Sequence, residues 1–134
     1  MKWGRILVAG IGTQAAVLLV ITFVVMGYAF KLAFAAQGAP DQARIAEFAA
    51  YVGRSFAWIL QILLTVPAAA WAVRKVEDSL DLHGVLVGLV VAIAALAMDF
   101  TLSFRMIAEV ALTVGAGRLG AALVAHRRLK PAHT

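Results

Sequence analysis

The sequence contains no cysteine and no asparagine, and it has only three prolines and seven acidic residues in 134. Without cysteine there is no disulfide framework, thiolate nucleophile, iron–sulfur cluster or cysteine-type zinc site. Without asparagine there is no Asn-bearing pore motif within a helix. Charged residues make up 14% of the chain, against about 25% in soluble globular domains. What the chain has instead is apolar: 63% of residues are hydrophobic and the mean hydropathy is +0.93. Composition therefore excludes an ordinary soluble domain.

The length allows one domain, residues 1–134. A helix crosses a bilayer with about 20 predominantly apolar residues. Four such helices joined by short connections use nearly the whole chain, leaving no room for a separate soluble catalytic domain. The expected fold is all-α: an integral membrane four-helix bundle built from two transmembrane hairpins. The net charge of +5 does not point to nucleic acid in so apolar a chain. Lys and Arg retained on the cytoplasmic side explain it more simply.

The first span is read over residues 6–30, from Ile6 to Phe30, flanked by Lys2, Arg5 and Lys31. Ala33, Ala35 and Ala36 offer small residues of the kind found at cleavage sites. A secretory signal core is only about 7–15 residues long, so an uncleaved span is expected. GAPDQ, residues 38–42, breaks the pattern. Gly38 can end a helix, Pro40 disfavours helical geometry at Ala39, and Asp41 suits an N-cap. Residues 42–54 then read as an interfacial helix, with Tyr51 and Trp58 at headgroup depth. A second span follows over 55–73, with a kink expected before Pro67.

RKVEDSLDLHG, residues 74–84, is the most polar segment and reads as a short connection, with Ser79 or Asp81 capping the next helix. A single helix from Leu82 to Ala125 would be about 66 Å long, twice the hydrocarbon thickness of about 30 Å. A reversal is therefore expected at residues 101–105, where polar residues cluster and Ser103 can cap. That gives spans over 82–102 and 104–125, followed by a basic tail. Placing both termini and the 74–83 connection in the cytoplasm puts eight of the twelve Lys and Arg residues on that side, which favours an N-in, C-in arrangement.

Asp99, Arg105 and Glu109 lie beside this reversal. Arg105 and Glu109 are four residues apart and share a helix face, with Asp99 across the turn. An ion pair pinning the hairpin accounts for them. The alternative is an ion or proton relay centred on Glu109, the deepest of the three. Arg118 is the other charge inside a span. It can snorkel to the cytoplasmic surface, pair with Asp81, or hold a lipid phosphate. Gln14 and Gln61 are expected to make interhelical hydrogen bonds, the alternative being that they line a substrate path.

GAGRLG, residues 115–120, spells a dinucleotide-binding fingerprint, but it sits in an apolar helix without the strand that fingerprint requires. Its small residues instead let backbones approach. Gly84 and Gly88, continued by Ala92 and Ala95, face Gly117, Gly120 and Ala121 in a predicted close packing of the third and fourth helices; the same face can serve a homodimer. His83, His126 and His133 have no ligand spacing within a span, so no haem, metal or other cofactor is expected. No Ser/His/Asp cluster supports a hydrolase, and no enzymatic activity is expected.

The sequence thus predicts a small non-catalytic membrane protein acting through helix packing. It would work as a homo-oligomer or as a subunit among other membrane-protein partners, in contact with membrane lipids and not with nucleic acid. The bacterial inner membrane is the expected location. The alternative is a small oligomeric transporter or channel with Glu109 and Asp99 on its path.

Overall fold

The structure is a computed structural model that describes residues 3–77, 79–98 and 104–129. These form four helices: α1 (Trp3–Ala36), α2 (Gln42–Val73), α3 (Leu80–Met98) and α4 (Phe104–Leu129). Each is long and apolar enough to cross a membrane. The described residues are all-α, as the sequence predicts. Asp99 and Ser103 lie outside the described residues, as do most of the expected reversal and the outlying Lys2, Lys130 and His133.

The helix ends follow local chemistry, with one departure from expectation. Asp41 is the N-cap of α2: its Oδ1 accepts from the N–H groups of Ala43 and Arg44 at 3.0 and 3.4 Å. The left-handed residue after α1 is Gln37, at φ 49, and Gly38 keeps a negative φ. A glycine one position earlier would be the natural occupant. Ser79, at φ 58, precedes α3, and its carbonyl accepts from the His83 N–H at 3.1 Å. Residues 42–54 form the first part of α2. They continue without a break into the rest of α2, which runs through Pro67.

The register of the bundle can be read from its contacts. α1 and α2 are antiparallel: Arg5 meets Trp71 at one end and Tyr28 stacks on Phe48 at the other, ring centroids 4.0 Å apart. α3 and α4 are also antiparallel, Gly84 meeting Gly117 and Gly88 meeting Thr113. α2 and α4 run parallel at a nearly constant offset. Arg54 pairs with Arg105, Gln61 with Thr113, Val66 with Gly120, and Val76 with Arg128. α2 and α3 also touch, whereas the described residues of α1 and α4 do not meet. The bundle is thus a rhombus with α1 and α4 at its far corners. The end that holds Trp3, Val73, Leu80 and Leu129 is called basal below, and the opposite end apical.

Small side chains set the spacing. A Cβ at Gly84 would lie 2.5 Å from the Gly117 carbonyl oxygen, and one at Gly88 would lie 2.7 Å from that of Thr113. Gly120 differs from expectation: it presses on Val66, Ala69 and Ala70 of α2, not on α3. It lies three residues beyond Gly117, and on a helix that step of about 300° is enough to face another neighbour in a bundle where α4 touches both. At the basal end Ile6, Ala9, Ala69, Ala72 and Val87 form the core cluster.

Candidate functional site

Towards the apical end the helices part around a cavity of about 480 Å³ lined by all four of them. Its polar side chains come from one face of each contributing helix. α1 supplies Gln14, α2 supplies Arg54, Trp58 and Gln61, and α4 supplies Arg105 and Glu109. Ala92 and Ala95 of α3 form an apolar wall. The spacings of four and seven residues on α2 and four on α4 place each set on one side of its helix.

Two hydrogen-bonded units organise these groups. In the first, Arg105 Nε donates to Glu109 Oε1 at 2.7 Å, while Arg105 Nη2 donates to the Arg54 carbonyl oxygen of α2. The pair therefore ties α4 to α2. The Glu109 side chain is 33% exposed and that of Arg105 is 56% exposed, so one face of the pair opens outward. In the second unit Gln61 Nε2 donates to Thr113 Oγ1 at 3.1 Å. The Thr113 hydroxyl in turn donates to the Glu109 carbonyl oxygen at 2.7 Å, and Thr65 donates to that of Gln61 at 2.6 Å. These buried hydroxyls spend their protons on backbone carbonyls, as side chains within apolar helices commonly do.

Among the residues singled out from the sequence, Arg105, Glu109, Gln14 and Gln61 converge on this cavity. Arg118 does not: it lies exposed on α4, and no ion pair joins it to Asp81 among the described residues. His83 is buried near the start of α3, its Nδ1 3.0 Å from the Ser79 carbonyl oxygen. No three His, Asp or Glu side chains gather among the described residues. Sequence reading missed Thr113 and the role of the Arg54 backbone. Thr113 was within reach, because 105, 109 and 113 recur at four-residue spacing. The Arg54 carbonyl carries no sequence signal.

It also missed a second tie, at the basal end. Arg128 reaches from α4 to carbonyls at and just beyond the C-terminal end of α2. Its Nη1 donates to the Val76 oxygen at 2.8 Å and its Nη2 to the Arg74 oxygen at 2.7 Å. Orphan carbonyls at a helix C-terminus favour such a cation. On the α1 side, the Arg5 guanidinium lies 4.8 Å from the centroid of the Trp71 ring.

Comparison of the chain with protein-family models, with curated proteins and with solved structures finds no match.

Proposed function

We propose that this chain is a small, non-catalytic integral membrane protein that acts by packing against other helices, either as a homo-oligomer or as a subunit of a larger membrane complex. In this reading its basal end, with both termini, faces the cytoplasm of a bacterial inner membrane, following the distribution of Lys and Arg.

The observation that carries the reading is the exposure of α1. All six of its buried residues lie between Ile6 and Val17. Beyond them Leu19, Phe23, Phe30 and Phe34 stand exposed. Helix length makes the same point. α1 has 34 residues and α3 has 19, or about 51 and 28 Å. α3 thus matches a bilayer core, while the apical halves of α1 and α2 extend past it. A contiguous apolar surface of this kind is covered by lipid or by another protein. The polar groups, meanwhile, are committed to structure: Glu109 is held by a cation on its own helix, and the threonine hydroxyls are bonded to carbonyls, not to a general base.

Native mass spectrometry of the protein released from nanodiscs tests this. A discrete homo-oligomer, or a stoichiometric complex with another membrane protein, is the expected result. A lone monomer under mild conditions would sink the proposal.

The cavity favours a second reading, a transporter or channel with Glu109 on its path. There Glu109→Gln abolishes proton-coupled or cation flux in proteoliposomes and leaves the fold intact. In the packing reading the same substitution lowers thermal stability and there is no flux to lose.

A further inference from the structure

We infer that the groove between α2 and α4 at the basal end binds an anionic phospholipid, with the headgroup phosphate held by Arg74 and Arg127. This rests on the reading of the chain as a membrane protein, but not on the packing function.

The groove encloses about 490 Å³. Its lining is sorted by height. Val66, Pro67 and Ala70 of α2 and Leu123 and Val124 of α4 form apolar rungs, and Arg74, Arg127 and Arg128 lie on the basal side. The sorting follows from the parallel register of the two helices. Ala70 to Arg74 and Val124 to Arg128 are each one turn in the same direction, about 6 Å along the axis, so the arginines of both helices arrive at one level. At Gly120 the helices approach closely, since a Cβ there would strike the Val66 carbonyl oxygen and Ala69. Below it α4 turns Leu123, Val124, Arg127 and Arg128 to the groove.

Among the described residues no acidic side chain lines the groove, although three guanidinium groups do. Arg128 has its compensation in the α2 carbonyls, and by capping them it also cancels the negative end of the α2 dipole that would otherwise repel an anion. Arg74 and Arg127 are exposed, and neither side chain has an ion pair among the described residues. Two cations with no ion pair among the described residues, beside a capped helix end, suit a phosphate. The apolar rungs select the source of that phosphate. They sit where an acyl chain would run from a headgroup at the arginine level, and a free phosphate ion has no use for them. A zwitterionic headgroup would bring its own cation against the arginines, so the net charge of the lipid decides affinity.

The test is native mass spectrometry of the full chain in detergent, titrated with phosphatidylglycerol and, separately, with phosphatidylcholine. Each juxtaposed basic residue favours an anionic headgroup by about fivefold, so with two of them phosphatidylglycerol should bind about twenty-five-fold tighter than phosphatidylcholine. The variant Arg74→Gln/Arg127→Gln should lose that preference while melting at the wild-type temperature. Arg44→Gln, at the apical end, should keep it. Equal binding of the two lipids, or an undiminished preference in the double variant, would overturn the inference. So would inorganic phosphate that competes with phosphatidylglycerol at equal concentration, since the apolar rungs would then add nothing to its affinity. A chain that stayed in solution without detergent would instead overturn the membrane reading itself.

Discussion

At the residue scale, the structure turns on a few polar side chains that must each find a partner. Arg105 serves two acceptors, Glu109 on its own helix and the Arg54 carbonyl on α2. Removing Arg105 therefore removes two bonds, and removing the Glu109 charge removes one. Glu109→Gln should cost about 1 kcal/mol or less, the worth of a half-exposed pair. Arg105→Gln should cost more, and the double variant less than the sum of the two, because the singles share one interaction. Melting temperatures of the three variants in one detergent check this. Equal losses for the two singles would mean that the tie to α2 contributes nothing. Gln37 gives a prediction of opposite sign. Its positive φ holds a non-glycine residue in left-handed geometry, which costs about 1–2 kcal/mol. Gln37→Gly should raise the stability of the α1–α2 hairpin by about 1 kcal/mol, read as a higher melting temperature. The sequence pointed to Gly38 for this role. Which of two adjacent residues takes the left-handed turn depends on where α1 frays, and that is not written in composition.

At the element scale, the glycines of α3 and α4 divide by what surrounds them. A Cβ at Gly84 would strike the α4 backbone, whereas a Cβ at Gly115 meets nothing within 4 Å. Gly84→Ala should therefore force the helices apart and cost about 2 kcal/mol. Gly115→Ala should be neutral or stabilising by up to about 1 kcal/mol, since alanine is the better helix former. Thermal unfolding of the two variants side by side separates the cases, and equal effects would show that close approach is not what holds α3 to α4. The spacing of Gly84, Gly88 and Gly117 was legible in the sequence because a four-residue repeat on an apolar helix defines one face. The partner of Gly120 was not. A helix with two neighbours presents two buried stripes, and periodicity alone does not say which neighbour each stripe meets. The parallel register of α2 and α4 was hidden for the same reason, although that register brings Arg54 to Arg105, Gln61 to Thr113 and Arg74 to Arg127.

At the scale of the whole molecule, hydropathy made four long helices legible, but not how unevenly they are buried. Ile6 and Val17 are almost fully buried, and Phe23 and Phe30, farther along the same helix, are about 60% exposed. Nothing in the run from Ile6 to Phe30 marks that change, because lipid and protein neighbours both tolerate the same side chains. The boundary appears only once α3 is seen to be too short to follow α1. It divides α1 into a half enclosed by the bundle and a half that packs on α2 alone, leaving Phe23, Met26 and Phe30 exposed. The absence of native cysteine makes the division measurable, since single-cysteine variants report without background. Phe23→Cys, Met26→Cys and Phe30→Cys should each form a disulfide-linked species under mild oxidation in native membranes, to a second copy or to a partner subunit. Val17→Cys should form none, because that position is enclosed. A Phe23→Cys variant that labels readily with a thiol reagent yet never crosslinks would leave α1 facing lipid alone. The packing proposal would then lose the surface on which it stands, and the cavity around Glu109 would become the stronger guide to what the protein does.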